Sequence, residues 1–458
     1  MTTPRYADTG CAAGSQVRGC ASSSPDASSP ADYAWNVNFN NGNSDYNHRN
    51  NNAFVRAVRS VSPASAGEYQ GVTFRALFDA WQCARRKKVP SRNQLGFEAN
   101  WIDGLLDLVD RIGAGTWRPK PTTCFIAKRP KAREIHAPDF GDRVVHHWLV
   151  PQLEAIYEPR FIADSFANRK GKGTHGAVDR LRGFVRQVQS GQSGGWYLQL
   201  DIHNFFNSIH RPTLYAMLKR SMVRAGTPLE TQRIAHALLA TSPLQGGAVT
   251  CSTPAERALV PLHKRMENAA PGCGLPIGNL SSQFFANVYL DALDQFAKHT
   301  LKAKRYVRYV DDFVLVHRDR AQLQTWLMQI EQFLRDKLRL ALKPDIRIRP
   351  LRAGIDFLGY VIYPTHTRVR RRVVKHACAA LAAWSAGHVR GAVIRATPAA
   401  LRGLRSIWRS YQGHMAHANS VRLRASIERR FPWLACAVRS RKFAWQLDVR
   451  VITLRVAA

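Results

Sequence analysis

The chain has 458 residues, enough for two or three packed regions with real cores, and carries 67 Lys and Arg against 32 Asp and Glu. Its formal net charge of +35 predicts a polyanionic partner, with nucleic acid as the first candidate. The sequence has no apolar run of membrane-spanning length, which argues against a membrane span. It has no Cys-x-x-Cys pair, which argues against a disulfide framework and a zinc ribbon, so a reducing cytoplasm is expected.

Residues 1–67 are predicted to form a disordered N-terminal extension. The first thirty residues are rich in serine, alanine and glycine, and nine of the seventeen residues from 36 to 52 are asparagine. Asparagine favours turns and cannot build an apolar face, so a low-complexity polar tail is the interpretation that the chemistry favours.

The next stretch alternates helical and strand patterns. Residues 71–120 have the apolar spacing of amphipathic helices. Residues 125–138, FIAKRPKAREIHAP, predict two short strands joined by a basic loop. Residues 142–159 resume helical spacing, and residues 161–178 carry a loop rich in glycine and basic residues. That loop lacks the GxxxxGK[ST] spacing, so a P-loop is rejected.

Two strand patterns each lead to acidic residues. Residues 196–202 alternate apolar and polar side chains up to Asp201. Residues 305–317, RYVRYVDDFVLVH, predict a hairpin whose tight turn carries Asp311 and Asp312. Adjacent carboxylates between apolar strands repel each other and resist burial, so a divalent metal is expected beside them. A solvated Asp-Asp turn would explain the hairpin equally well if the hairpin stood alone.

These two stretches resemble the boxes of the reverse transcriptase family, with Tyr309 to Asp312 as its Tyr-x-Asp-Asp box and Asp201 as its first catalytic aspartate. The resemblance implies an RNA-directed DNA polymerase with an α+β, right-hand fold of fingers, palm and thumb, an antiparallel palm sheet and a helical thumb. It implies that Asp201, Asp311 and Asp312 are catalytic and bind two Mg²⁺ ions, or Mn²⁺ in their place, with the Ile202 carbonyl assisting. One ion lowers the pKa of the primer 3′-hydroxyl, and the other neutralises charge on the triphosphate.

The resemblance assigns further roles along the chain. The residues expected to bind the nucleotide are Lys131, Arg133, Phe206, Ile277, Gly278, Gln283 and Lys343. The residues expected to bind template or primer are Arg169, Lys170, Lys172, Tyr309, Phe357, Leu358, Gly359 and Tyr360. Phe206 is expected to act as a steric gate that clashes with a ribose 2′-hydroxyl, although a buried core phenylalanine fits both Phe205 and Phe206.

Ile277 indicates one branch of that family. Group II intron and retron polymerases typically carry glutamine after the proline of this box, whereas GLPIGNLSSQ at residues 274–283 resembles the diversity-generating retroelement branch. An apolar side chain there removes a hydrogen bond, and discrimination of ~1–3 kcal/mol is lost with it. The resemblance implies errors opposite template adenines, a template-repeat RNA and a small basic oligomeric accessory protein. Residues 36–52 resemble the variable segment of the target proteins of such elements.

The predicted domains are the extension at 1–67, fingers at 68–195, a palm at 196–365 with an insertion at 222–272, and a basic helical thumb at 366–458. The expected partners are template RNA, nascent cDNA and deoxynucleotides, in a bacterial cytoplasm or encoded by a phage. Two alternatives stay open. One is a group II intron or retron/defence-type reverse transcriptase, and the other is a non-catalytic RNA-binding scaffold with the same fold.

Overall fold

The structure, a computed structural model, describes residues 71–86, 89–128, 131–189, 194–242, 244, 248–391 and 393–439, together with the backbone of four strands outside those ranges. The chain divides into two compact units. Among the described residues, the first unit contains residues 71–121, Pro138–Pro151 and Gly226–Thr241. The second contains Thr122–Ala137, Gln152–Ala225 and the chain from Ser242 onwards.

Helices and strands alternate along most of the chain. The helices are α1 (Phe74–Arg85), α2 (Arg92–Ala99), α3 (Trp101–Gly113), α4 (Phe140–Tyr157), α5 (Thr174–Gln189), α6 (Phe205–Ser208), α7 (Arg211–Arg224), α8 (Leu229–Ala240), α9 (Pro254–Ala258), α10 (Leu280–Gln295), α11 (Arg320–Leu338), α12 (Arg371–His388), α13 (Pro398–Ala416), α14 (Val421–Arg430) and α15 (Trp433–Arg439). The strands are β1 (Cys20–Asp26), β2 (Ser29–Asn38), β3 (Asn43–His48), β4 (Thr123–Ala127), β5 (Arg133–Ala137), β6 (Trp196–Asp201), β7 (Val249–Thr250), β8 (Tyr306–Tyr309), β9 (Asp312–His317), β10 (Arg347–Pro350), β11 (Ile355–Phe357), β12 (Tyr360–Ile362), β13 (Thr367–Val369), β14 (Val389–Arg390), β15 (Val393–Ala396) and β16 (Arg450–Thr453).

From residue 71 onwards the first unit is helical, as the apolar spacing of residues 71–120 predicts. Helix α1 begins after Thr73, whose side chain accepts a hydrogen bond from the backbone N–H of Ala76, and Ser91 caps α2 in the same way. Trp81 of α1 stacks on Trp101 of α3 with ring centroids 4.8 Å apart, and both rings are buried. The tryptophans therefore form the centre of this unit's core.

The second unit contains a four-stranded antiparallel sheet with the order β10-β6-β9-β8. Leu198, Leu200, Phe313 and Leu315 are fully or almost fully buried on its two central strands. Helix α5 packs against β8 and β9, and α11 packs against β6 and β9. Because a strand covered in this way has to be apolar on both faces, the acids are confined to the strand ends.

Beyond the N-terminal extension, three smaller sheets accompany the four-stranded one: β5-β4-β7, β11-β12-β13 and β14-β15-β16. The last sheet lies in the segment that the sequence predicted to be helical. Helices α12 to α15 form there as expected, with Trp408 and Leu404 in their core. The short runs around Val389 and Ile394 pair as strands instead, because β-branched residues fit a pleated surface.

The N-terminal extension was predicted to be disordered. Within residues 1–67 the structure describes the backbone of β1, β2 and β3, which form an antiparallel sheet in that order. The rest of the extension, and every side chain in it, lies outside the described residues. In the part of the chain that is described, no helix combines the length and apolar character needed to cross a bilayer.

Candidate active site

The sheet register brings the three predicted catalytic acids to one end of the central strands. Asp201, the last residue of β6, lies directly opposite Asp312, the first residue of β9. Val310 and Asp311 form the two-residue turn between β8 and β9, as the hairpin pattern predicts. The backbone N–H of Ile202 donates to the Asp311 carbonyl at 3.3 Å, so the turn is tied to the end of β6.

The hairpin turn is strained and is held by a buried arginine. Val310 has a φ of 55°, a left-handed conformation that a β-branched residue rarely adopts. Arg308 donates to the Val310 carbonyl at 3.0 Å and is itself paired with Asp294. Sequence reasoning missed Arg308 as a supporting residue, since nothing in its spacing separates it from the surface arginines around it.

Burial, together with repulsion between neighbouring carboxylates, raises the pKa values of Asp311 and Asp312. Burial, followed by the charge of Asp201, raises the pKa of Asp311 to about 6. Burial raises the pKa of Asp312 to about 7, against a hydrogen bond from Gln199 Nε2 to Asp312 Oδ1 at 3.3 Å. Both carboxylates therefore resist ionisation until a positive charge joins them.

Lys343 supplies positive charge at the first acid. Its ammonium donates to Asp201 Oδ2 at 2.5 Å, and its backbone N–H donates to the Asp201 carbonyl at 2.8 Å. The family resemblance placed Lys343 near the active centre, and the structure brings it into contact with Asp201. The other oxygen, Asp201 Oδ1, is buried and has no hydrogen-bond partner.

These acids fit a divalent cation. The unpartnered Asp201 Oδ1 and the raised pKa of Asp311 mark carboxylates that lack a cationic ligand, and Mg²⁺ prefers carboxylate oxygen. Within the described chain, the donor atoms of the three aspartates do not all lie within 4.8 Å of one another, so the carboxylates would have to draw together around a shared cation. Asp312 instead faces Gln199.

The predicted nucleotide-binding residues fall on three elements. Lys131 and Arg133 are exposed on the hairpin of β4 and β5. Phe206 is half-buried on α6, whereas Phe205 is buried beside it with ring centroids 5.4 Å apart. The structure therefore distinguishes the two phenylalanines, and Phe206 is the one with an accessible face.

Ile277 lies in a loop that is fixed to the same hairpin. Its carbonyl accepts the backbone N–H of His136 at 2.8 Å. Gly278 has a φ of 128°, and a Cβ there would lie 3.1 Å from the His136 carbonyl oxygen, so only glycine allows this close approach. The Ile277 side chain is half-buried, and Gln283 is exposed on α10.

The glycine-rich segment lies beside the acidic hairpin. Tyr309 accepts a hydrogen bond from Thr174, the first residue of α5, at 3.2 Å. Lys170 and Lys172 are exposed, and both are tethered within the chain, to Glu154 and to the Ala163 carbonyl respectively.

Arg169 departs from the expected role in template binding. Its side chain is only 5% exposed and pairs with Glu158 at 2.9 Å. It also donates to the carbonyls of Ile162 and Ser165. Its guanidinium is therefore used to hold this loop, and the neighbouring lysines are the cations that reach solvent.

Phe357 to Tyr360, which are expected to bind template or primer, form a tight hairpin. Phe357 and Tyr360 pair across it, and both side chains are fully buried. Leu358 and Gly359 form the turn with φ values of 50° and 91°. The Tyr360 hydroxyl donates to the His414 carbonyl at 2.7 Å. The turn backbone, not the two aromatic rings, is therefore the surface that a primer end could meet.

Comparison with known proteins decides the family. The family described as "Reverse transcriptase (RNA-dependent DNA polymerase)" matches residues 119–362, more than half of the chain. The chain belongs to the reverse transcriptase family. Its enzyme class is RNA-directed DNA polymerase. Its mixed helices and antiparallel sheets are those of an α+β polymerase fold. Members of this family use divalent metal ions and an RNA template.

The reverse transcriptase has distant relatives among curated proteins. It is 23% identical to the protein YkfC of Escherichia coli strain K12, over 61% of this chain and 75% of that protein. It is also 23% identical to the group II intron-encoded protein LtrA of Lactococcus lactis subsp. cremoris, over 58% of this chain and 49% of LtrA. The match therefore spans about half the length of LtrA. Among solved structures, an apo telomerase from Candida tropicalis, truncated from its C-terminal domain, has a TM-score of 0.41 and 10% identity, over 57% of this chain and 58% of that one.

Proposed function

We propose that this reverse transcriptase copies a template-repeat RNA into cDNA with low fidelity at template adenines, and that the cDNA diversifies a target gene. The observation that carries the proposal is the identity and setting of Ile277. The backbone at this position is fixed by the bond between the Ile277 carbonyl and His136, so the side chain has a defined place. Isoleucine has no polar atom with which to bond a base or sugar.

The loss of a polar side chain affects specificity more than rate. A site that hydrogen-bonds its substrate rejects analogues strongly, because a mismatch leaves a buried polar group unpaired. An isoleucine at the same place imposes no such penalty, and discrimination falls by ~1–3 kcal/mol. Mispaired nucleotides are then accepted more often.

At the active centre, Asp201 and Asp311 would hold the catalytic cations by their carboxylates, with Asp312 and the Ile202 carbonyl completing the donor set. Two Mg²⁺ ions bound there would supply a lower pKa for the primer 3′-hydroxyl and positive charge for the triphosphate. Lys343 keeps positive charge at Asp201 until the cations arrive. Arg133, assisted by Lys131, grips the triphosphate, because a guanidinium fork matches phosphate oxygens.

We propose three functional regions in chain order. Residues 68–195 act as fingers, residues 196–365 as the palm with its insertion at 222–272, and residues 366–458 as a basic thumb on the template–primer duplex. A small basic oligomeric accessory protein is the proposed partner, and a bacterial or phage-infected cytoplasm is the proposed location.

The test is a fidelity comparison on one mixed RNA template. Wild type, Ile277→Gln and Ile277→Leu copy it under the same conditions, and the cDNA is sequenced. Ile277→Gln is expected to make several-fold fewer errors opposite adenine, with errors opposite the other three bases less changed. Ile277→Leu is the matched control, since it keeps an apolar side chain of equal volume, and it is expected to match wild type. Equal error rates at adenine for all three enzymes would refute the role of Ile277.

A second candidate is a group II intron-type reverse transcriptase. It is favoured by the similarity to LtrA, whose name records a group II intron origin. The DNA flanking the gene separates the two. A near-repeat of a coding segment that differs at adenines supports the first proposal, whereas intron RNA structure around the gene supports the second.

A non-catalytic scaffold is tested by Asp312→Ala. Loss of DNA synthesis with RNA binding retained supports the enzyme. Unchanged biological activity supports the scaffold.

A further inference from the structure

A second cluster of metal-ligating side chains lies on one face of the hairpin formed by β4 and β5. Cys124 lies opposite His136 across the hairpin, and Glu134 lies two residues before His136 on the same face. One donor atom from each of the three lies within 4.8 Å of the other two. The catalytic aspartates are on other elements, so this cluster is separate from the active centre.

The spacing of the donor atoms suits a tetrahedral metal. Cys124 Sγ lies 3.7 Å from Glu134 Oε1, and His136 Nε2 lies 3.5 Å from Glu134 Oε2. A tetrahedral zinc site with its usual bond lengths has ligand atoms about 3.4–3.6 Å apart. These two distances end on different oxygens of Glu134, so a rearrangement of its carboxylate is needed to surround one ion, within a cluster whose donor atoms already lie within 4.8 Å of one another.

The histidine carries the decisive observation. His136 is only 1% exposed, and its Nε2 atom makes no hydrogen bond of regular geometry, although Glu134 Oε2 lies 3.5 Å away. A buried ring nitrogen held at this distance from an acceptor is poorly satisfied, and a metal ion between the two atoms would satisfy both. The other ring nitrogen, Nδ1, lies 3.1 Å from Thr122 Oγ1. With the Nδ1 proton donated to Thr122, Nε2 directs its lone pair into the cluster, the arrangement that usually orients a histidine ligand.

The carboxylate is positioned from outside the hairpin. Glu134 Oε2 accepts the backbone N–H of Met266 at 2.6 Å. Glu134 Oε1 accepts from the Cys124 thiol, a proton that a metal ion would replace. The cluster thus joins the hairpin to the stretch around Met266. It also contains His136, whose backbone holds Ile277.

We propose that Cys124, Glu134 and His136 bind one Zn²⁺ ion, which fixes the hairpin that carries Lys131 and Arg133 and supports the loop of Ile277. Cysteine, histidine and a carboxylate form a mixed sulfur, nitrogen and oxygen set that suits zinc better than magnesium. Three protein ligands leave one position of the tetrahedron, which water would fill. The ion stabilises the hairpin because it binds the folded arrangement and not the unfolded chain.

The test measures metal directly on the full chain. Wild-type protein is purified without chelators and analysed for zinc by mass spectrometry, and a second sample is reconstituted with Co²⁺. One zinc per chain is expected, with a thiolate-to-cobalt charge-transfer band in the near ultraviolet. Cys124→Ser is expected to remove that band, and His136→Gln to lose the zinc.

Two control variants separate this site from other effects. Cys378→Ser removes a thiol from α12, outside the cluster, and is expected to keep both zinc and the cobalt band. Asp201→Asn is expected to abolish DNA synthesis and to keep the zinc, so this proposal and the proposed function fail independently. Wild-type protein that holds no zinc and shows no cobalt–thiolate band would overturn the proposal, whether or not the cluster variants fold.

Discussion

Arg308 and Asp294 form an ion pair in the interior of the second unit, with the guanidinium 2.6 Å from the carboxylate and neither side chain exposed. Arg308 lies on β8, and Asp294 lies near the end of α10. Arg308 also bonds Ser165 and the Val310 carbonyl. One buried cation therefore connects a helix, the glycine-rich segment and the turn that carries Asp311.

Removal of the Arg308 cation from this pair is expected to destabilise the folded protein strongly. Arg308→Met leaves the Asp294 carboxylate buried without a counter-ion, with the Tyr306 hydroxyl still bonded to it, which should lower the free energy of unfolding by about 3–5 kcal/mol. The midpoint of urea denaturation measures the loss. Arg335→Met is the control, because the Arg335–Asp336 pair is exposed at the surface, and its effect should stay within about 0.5 kcal/mol. Equal midpoints for the two variants would contradict a structural role for Arg308.

The raised pKa of Asp312 predicts how stability depends on pH without divalent cations. Folding raises this pKa from the ordinary 3.8 to about 7, so the folded state holds its proton more tightly than the unfolded chain does. The associated stability is present below pH 3.8 and is lost as pH rises through about 7. In EDTA the Tm of wild type should therefore fall between about pH 4 and about pH 7 and level off above that range.

Asp312→Asn should flatten that decline, because an amide does not ionise. Thermal denaturation in EDTA across the same pH range measures it. Asp336→Asn, on the surface, should leave the slope unchanged. A wild-type Tm that rises over this range, with the variant parallel to it, would mean that Asp312 is not protonated in the folded protein.

Lys343 is expected to compete with the catalytic cations. Its ammonium lies 2.5 Å from the Asp201 carboxylate, which is the proposed ligand of the cations. Lys343→Gln should lower the Mg²⁺ concentration that gives half-maximal activity, since the carboxylate is freed. It should also lower kcat by roughly 10²-fold if the lysine stabilises charge in the transition state. Magnesium titrations of primer extension separate the two effects, and Lys337→Gln on α11 is the control. An unchanged half-maximal concentration would rule out competition.

The sequence predicted the elements that carry the chemistry. The hairpin of β8 and β9 and the strand before Asp201 both form, because alternating apolar residues bounded by turns are strong local signals. The pairing of Asp201 with Asp312 followed only from the family resemblance. Register between strands distant in sequence depends on long-range packing that no local pattern records.

Other features could not be read from the sequence. Arg169 resembles a template contact until its partner Glu158 is visible. Cys124 and His136 show no ligand spacing along the chain, and only the antiparallel register places them opposite each other. The small sheet in the thumb was missed because its strands are only two to four residues long.

Phe206 is expected to exclude ribonucleotides. It is half-buried, whereas its neighbour Phe205 is 3% exposed and belongs to the core. Phe206→Val should raise the relative kcat/KM for ribonucleotides by about 10–200-fold, since it removes the ring that is expected to clash with a 2′-hydroxyl. Phe205→Val is the matched control and should lower stability while it keeps the preference for deoxynucleotides. Single-nucleotide extension with both substrates measures the ratio. If Phe205→Val relaxes the selection and Phe206→Val does not, the two roles are exchanged.

The thumb should bind nucleic acid through phosphate contacts, and the arginines of α13 allow a matched test. Arg402 and Arg409 are exposed, whereas Arg405 is half-buried and donates to the Ala437 carbonyl. Each phosphate contact that is removed should make the slope of log K against log salt less steep by about 0.7–0.9. Arg402→Ala and Arg409→Ala should each show this change in binding titrations with a template–primer duplex. Arg405→Ala should weaken the helix packing and leave the slope as in wild type, because its guanidinium is occupied within the thumb. A common slope for all four proteins would place the duplex on another surface.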